Sequence, residues 1–201
     1  MAADPTLLPI FLKLDGRSVL IVGGGPVAAS KLDALLPTGA RVTVVAPDVA
    51  PAIVEAGVTV HRRPFQRADL DGVWLVVSAA TPDVNRAVSA AAAERHLFVN
   101  AVDDPANATA YLGGVVRRDG LTLAISTDGR APALAGLLRE GLEEMLPADL
   151  EDWFATADTL KARWRSTGVP MPDRRPQLAE AIAHRYCGTL VSCRTVKGPT
   201  S

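Results

Sequence analysis

Cysteine is nearly absent from this chain. Its only two, Cys187 and Cys193, stand near the C-terminus. Their spacing fits neither a zinc site nor a C-x-x-C redox pair, so two ordinary thiols are expected. The three histidines, His61, His96 and His184, are scattered, which leaves no cysteine–histidine cluster for a structural metal. Aromatic residues make up only 4% of the sequence. No uncharged apolar run approaches the ~18 residues that a membrane helix needs. Residues 1–9 carry neither the basic stretch nor the apolar core of a secretory signal, so the expected compartment is the cytoplasm. The G-x-S-x-G elbow, the Walker A loop and the H-E-x-x-H motif are all missing, which removes serine-hydrolase, P-loop and zincin chemistry.

Net charge is small as well. At −1 it argues against a general nucleic-acid binder. The total conceals an asymmetry: residues 1–160 carry a balance of −7, and residues 161–201 a balance of +6. A basic C-terminal segment beside an acidic body suits an anionic partner, an intersubunit contact or a solvated tail. The tail is the default expectation.

What remains is an ordinary globular composition, 48% hydrophobic and 21% charged over 201 residues. That is enough chain to bury a core and carry an appendage. The most informative stretch is residues 17–31, RSVLIVGGGPVAASK. An apolar, β-branched run ends on Gly23, Gly25 and Ala28 follow at G-x-G-x-x-A spacing, and a helical pattern starts at once. A dinucleotide-binding strand–turn–helix has this order. Gly23 permits the tight turn, Gly25 lets a pyrophosphate approach the backbone, and small Ala28 lets helix and strand pack closely. The helix start offers free N–H groups to phosphate oxygens. A Gly-rich turn in an unrelated α/β protein is the plainer alternative.

Strand-like and helix-like runs then alternate, as a parallel sheet requires. Strands are expected at 18–22, 41–46, 58–61, 73–79 and 97–102, and helices at 26–36, 50–56 and 82–96. The fourth strand, VWLVVSA, is unbroken enough to be buried on both faces. The alternation stops after residue 109. Two strand-like runs, 110–117 and 121–127, flank Asp119-Gly120, a strong hairpin signal. Helices are expected at 133–145, 148–165 and 177–186, with a break at 168–172 and an unstructured last dozen residues. The expected class is therefore α/β. A Rossmann-type parallel sheet occupies residues 1–109, a small α+β unit 110–147, and a helical region 148–201.

In such a sheet ligands bind beyond the carboxyl ends of the strands. After the second strand stand Pro47 and Asp48, with no arginine to hold a 2′-phosphate. Asp48 on a ribose makes NAD the favoured cofactor. After the fourth strand, Ala80 is small and Thr81 can donate a hydrogen bond; Thr81-Pro82 is equally good helix-start chemistry. After the fifth strand come Asp103 and Asp104. Asp104 precedes a proline and reads as the turn residue, which leaves Asp103 as a general base, able to take a proton as hydride leaves for the cofactor. A plain Asp-Asp-Pro turn is the competing reading. Arg117, Arg118, Arg130 and Arg139 gather around the hairpin and suit a polycarboxylate; taken singly, each reads as a solvated surface charge.

Several of these stretches together resemble the precorrin-2 dehydrogenase/sirohydrochlorin ferrochelatase family, the N-terminal module of siroheme synthases. They are LPIFLKL at 8–14, VLIVGGG at 19–25, VVAP at 44–47, FVNAVD at 98–103, and VVRRDGLTLAIST at 115–127 running into PALA at 132–135 and LRE at 138–140. The resemblance covers about residues 7 to 165. It implies NAD-dependent oxidation of precorrin-2 to sirohydrochlorin, with Fe²⁺ insertion in some members. It also implies a homodimer formed through the hairpin-and-helix unit, and an active site between the cofactor domain and the rest. No membrane or nucleic-acid partner is implied, and no resident metal. The catalytic residue falls on Asp103. Cofactor contacts fall on Gly23, Gly24, Gly25, Pro26, Val27, Pro47, Asp48, Ala80 and Thr81. Substrate contacts fall on Arg117, Ser126, Thr127 and Arg130. The chain departs from the family pattern at Ala110, Gly113, Asp128 and Ala131, all on the tetrapyrrole side. Two other readings stand beside this one: a non-catalytic NAD(H)-sensing module, and a tetrapyrrole chelatase without redox activity.

Overall fold

The structure, a computed structural model, describes residues 6–183. It divides into two compact units. The first comprises the chain up to Leu112 together with Ser126–Ala131, and the second comprises Gly113–Ile125 and the chain from Pro132 onward.

The first unit is a five-stranded parallel sheet. Its strands are β1 (Ser18–Val22), β2 (Arg41–Val45), β3 (Thr59–His61), β4 (Leu75–Ser78) and β5 (Phe98–Ala101), in spatial order β3-β2-β1-β4-β5. Helices α1 (Pro26–Leu35), α2 (Pro51–Glu55) and α3 (Pro82–Ala93) provide crossovers. The chain moves outward from β1 on one side, then returns to place β4 on the other. That reversal opens a crevice at the carboxyl ends of β1 and β4.

Alternation along β1 explains why the sheet is covered on both faces. Val19 and Ile21 pack with Ala28, Leu32 and Leu35 of α1, whereas Leu20 and Val22 pack with Val88, Ala91 and Ala92 of α3. All four residues of β4 are buried. Each fully buried Val, Leu or Ile contributes about 1.5–3 kcal/mol of transfer free energy, so the two central strands anchor the unit. The free edge of β5 is closed by Thr109 and Ala110, whose N–H groups both donate to the Val99 carbonyl, at 2.8 and 3.0 Å. Ala110 is therefore held beside β5, and the strand expected to begin there starts only at Gly114.

The second unit begins with a hairpin of β6 (Gly114–Arg118) and β7 (Leu121–Ile125), in register Arg118↔Leu121. Asp119 and Gly120 both take positive φ, 48° and 87°, the conformation that a two-residue hairpin turn requires. Helix α4 (Pro132–Met145) packs on β6 and buries Ala135. Its other face leaves Leu134, Leu137, Leu138, Leu142 and Met145 exposed.

Helix α5 (Leu150–Thr167) ends on left-handed Gly168. Helix α6 (Met171–Ala183) begins six residues earlier than expected. Pro172 is no obstacle there, because first-turn N–H groups have no helical partner. The indole of Trp164 donates to Gln177 Oε1 at 2.8 Å and ties the two helices together. The end of the expected last helix, both cysteines, His184 and the last part of the basic segment, residues 184–201, lie outside the described residues. Among those described, no helix is long and apolar enough to cross a membrane.

Candidate functional site

The three glycines after β1 do three different things. Gly23 has φ +122°, and a Cβ there would meet the Ala79 carbonyl oxygen at 2.2 Å. Its N–H donates to Val45 O at 3.0 Å, so the turn is stitched to β2. Gly24 lies so close to the next loop that a Cβ would fall 1.9 Å from the Asp48 carbonyl oxygen. Its own carbonyl accepts the Ala50 N–H at 2.8 Å. Gly25, the N-cap of α1, faces open space, with nothing within 4 Å of a built Cβ. Pro26 follows at the first helical position, and Ala29 N–H makes the first return bond, to Gly25 O at 3.1 Å. The N–H groups of Val27 and Ala28 thus point ahead of the helix without helical partners.

Two clefts flank this turn. The smaller, about 320 Å³, is bounded by Gly23, Gly24, Pro47, Asp48, Phe65 and Thr81. The larger, about 730 Å³, is bounded by Val27, Asn85, Arg86, Asp103 and Asp104 among others. Ala79 and Ala80 line both. A ligand with two wide ends joined by a narrow anionic bridge matches this shape. The bridge would cross the open Gly25 and the free N–H groups, where a helix start favours negative charge. The residues present therefore fit a dinucleotide: Gly23–Val27 for the bridge, Pro47, Asp48 and Thr81 for one end, Ala80 for the junction.

Thr81 occupies the N-cap of α3, yet its side chain makes no capping bond. Its hydroxyl is left available to the smaller cleft.

Asp103 sits at the tip of the loop after β5 with φ 54°. Its carboxylate makes no hydrogen bond or ion pair among the described residues. Its surroundings are fixed on both sides. Val102 N–H donates to Ser78 O at 2.9 Å, and Thr109 Oγ1 accepts the Val99 N–H at 2.8 Å. Asp104 is engaged otherwise: its carboxylate accepts a bond from Asn107 Nδ2 at 2.8 Å, closing the short helical turn Pro105–Asn107. The two neighbouring acids thus differ, one bound into the turn and one free in the cleft.

The expected substrate residues are distributed unevenly. Ser126, Thr127 and Arg130 belong to the same unit as Asp103. Within that segment Gly129 lies against the Asp103 loop, its built Cβ 3.6 Å from Pro105 Cγ and 3.1 Å from Tyr111 Cε1. Arg117 is exposed on β6 of the second unit. Two further arginines expected to serve a polycarboxylate are committed elsewhere. Arg118 donates to the Glu143 and Leu146 carbonyls at 2.9 and 3.0 Å, satisfying the end of α4. Arg139 pairs with Glu140 and Glu143.

Asn85 escaped the sequence reading. It is 2% exposed, and its Oδ1 accepts from Ser78 Oγ at 2.6 Å and from Ala80 N–H at 3.2 Å. It shapes the β4–α3 loop that both clefts share. The available signal was a polar residue on the buried stripe of α3, with Val88 and Ala92. Phe65 was missed as well. Its loop is braced by Arg63 and Asp69, whose ion pair accompanies a reciprocal cap between Gln66 and Asp69. The Arg63 guanidinium hydrogen bond holds the Asp69 carboxyl below its ordinary range, against a smaller opposing effect of burial.

Comparison with known proteins gives the family. A family model described as NAD(P)-binding matches residues 10–114, and one described as the central part of a sirohaem biosynthesis protein matches 118–145. Siroheme synthase 3 of Aeromonas hydrophila is 40% identical over 173 residues, covering 84% of this chain and 37% of that protein. The siroheme synthase of Salmonella arizonae is 42% identical over 173 residues, covering 84% of this chain and 38% of that protein. The chain thus spans well under half the length of these curated relatives. A solved structure titled SirC, precorrin-2 dehydrogenase, is 28% identical with a TM-score of 0.68, covering 88% of this chain and 89% of that one. The chain belongs to the NAD(P)-binding family, in the form that siroheme synthases and precorrin-2 dehydrogenase share.

Proposed function

We propose that this protein oxidises precorrin-2 to sirohydrochlorin with NAD⁺, in the cytoplasm and as a homodimer. The observation that carries the reading is the placement of Asp103. An unpaired carboxylate lines the same cleft as Val27 and Ala80, beside the turn that fits a dinucleotide bridge. The similarity to a precorrin-2 dehydrogenase over 89% of that chain supports the same chemistry.

The bound nicotinamide supplies the hydride acceptor. The reaction releases one hydride and one proton from the tetrapyrrole, so a base is needed as well as an acceptor. Asp103 meets that need: its carboxylate is free to take a proton, and the anchored strand end on one side and the Asp104–Asn107 turn on the other hold it in place. NAD is favoured over NADP because Asp48 lines the smaller cleft, where an anionic side chain suits free ribose hydroxyls and repels a 2′-phosphate. The nearby Arg63 is already paired with Asp69. Ser126, Thr127 and Arg130, in the same unit as Asp103, are polar groups available to substrate carboxylates, and Arg117 is an exposed cation of the second unit. The exposed leucine stripe on α4, in the second unit, is the apolar face that a second copy would cover.

Fe²⁺ insertion is the second reading, favoured by the siroheme synthases among the relatives. Iron would then be substrate, displacing two protons from the pyrrole nitrogens, one taken by Asp103 and the other passing to solvent.

The test is direct. Mixing protein, NAD⁺ and precorrin-2 is expected to raise NADH absorbance in step with sirohydrochlorin formation. Sirohydrochlorin with Fe²⁺, without NAD⁺, tests insertion separately. Absence of NADH from protein that binds NAD⁺ would leave the sensing module as the better reading.

A further inference from the structure

Two adjacent residues of α3, Asn85 and Arg86, line the cleft that holds Asp103, and neither belongs to the residue set assigned above. Asn85 is almost wholly buried, at 2% exposure. The orientation of its amide is fixed by chemistry. A backbone N–H can only donate, so the atom 3.2 Å from Ala80 N must be oxygen, and the same oxygen takes the Ser78 hydroxyl at 2.6 Å. Both acceptor sites of Oδ1 are thereby used. The amide nitrogen, with two donor hydrogens, is turned the other way. It has no partner among the described residues, and it is not sealed off as the buried Asn100 Oδ1 is.

Arg86 is the cation of this cleft. Among the described residues its one partner is the neighbouring Asp83, at 3.1 Å, and both side chains are largely exposed, 68% and 89%. A surface pair of this kind holds its arginine weakly. A carboxylate arriving in the cleft could therefore take over the guanidinium in a bidentate pair. Donors on α3 and the free acid at Asp103 give the cleft opposite electrostatic character on separate elements. One side suits an anionic substituent and the other a group that loses a proton.

We infer that Asn85 Nδ2 and Arg86 form a donor pair on α3 that holds a carboxylate substituent of the substrate and so orients its reacting carbon relative to Asp103. This rests on the tetrapyrrole reading above, and makes Asn85 and Arg86 positioning residues of that site.

The test uses the full chain with NAD⁺ and precorrin-2. Arg86→Gln removes the charge. It is expected to raise the KM for the tetrapyrrole about tenfold, with the NAD⁺ Kd changed by less than about twofold. Arg86→Lys keeps a point charge without the fork and is expected to recover part of that loss. Asn85→Asp keeps the oxygen that Ala80 and Ser78 require but replaces the donor by an anion. It should likewise raise KM, and a thermal melt checks that the loop survives. If it does not fold, the two Arg86 variants decide alone. A raised NAD⁺ Kd with an unchanged tetrapyrrole KM would assign the pair to the cofactor and overturn the inference. So would wild-type kinetics in Arg86→Gln. A wild-type protein that never oxidises the tetrapyrrole overturns the parent reading, and the inference with it.

Discussion

The main chain of Asp48 runs directly beside Gly24, so close that a single added Cβ would lie 1.9 Å from the Asp48 carbonyl oxygen. The loops after β1 and β2 are locked together at this point, and the dinucleotide turn has no freedom to accept a side chain there. The next residue, Gly25, has nothing within 4 Å. Adjacent glycines therefore answer to different demands, one from the protein and one from its ligand.

Alanine substitutions should separate these demands. Gly24→Ala is expected to cost about 2–4 kcal/mol of stability, since backbone must move to relieve the clash. Gly25→Ala should cost about 1 kcal/mol or less, as at other N-cap positions, while weakening NAD⁺ binding at least about tenfold through steric exclusion of the diphosphate. Thermal melts and calorimetric titration of the two variants check both halves. Equal stability of the two would contradict the packing described here.

Asp103→Asn retains a residue type that tolerates positive φ and removes the base. NADH formation is expected to fall by about 10²- to 10⁴-fold, with NAD⁺ affinity little changed because the glycine turn and Asp48, rather than this carboxylate, are the groups assigned to holding the cofactor. Full activity in this variant would send the proton to another acceptor.

The Arg63–Asp69 pair predicts a specific acid dependence. The folded carboxyl of Asp69 is held below its ordinary value, chiefly by the Arg63 hydrogen bond. Its contribution is thus fully present above the ordinary carboxyl range and is lost as pH falls through the lowered folded value. The stability difference between wild type and Asp69→Asn should be flat near neutrality and shrink in acid. Denaturant melts across that range measure it, and a difference that grew on acidification would reverse the sign.

Leu137 on α4 is 67% exposed and Leu138 46%. In a monomer, Leu137→Glu should change stability by no more than about 0.5 kcal/mol. If this face joins two copies, the same change places charge in an apolar contact and should shift sedimentation from dimer to monomer. Dimers of undiminished stability would place the interface elsewhere.

Much of the fold was legible because its signals are local. The alternation of β-branched runs with alanine-rich helices has the 2.0 and 3.6 periodicities of the chain itself, and Asp119-Gly120 specifies its turn through two consecutive positive φ angles. The strand expected at residues 110–117 was misread because Ala110 has strand-like neighbours but bonds to β5, a partner eleven residues back. Arg118 and Arg139 carry the right chemistry for a polyanion. Whether an arginine is free depends on which carbonyls or carboxylates lie beside it, and Arg118 ends up closing a helix that finishes at Met145. Asn85 reads in sequence as one polar residue in an apolar helix, and its role emerges only when Ser78 and Ala80 are brought to its oxygen.

By itself the sequence determined the order of elements, the glycine turn and the acid after the fifth strand, because each is encoded in a few consecutive residues with fixed backbone demands. Only the tertiary structure decided which glycine the protein needs for its own packing, that Arg118 and Arg139 are committed to partners at α4, and which donors face the cleft. Those outcomes depend on what the sheet brings together from distant parts of the chain, and hydrogen-bond competition and close backbone contact have no signature along one dimension.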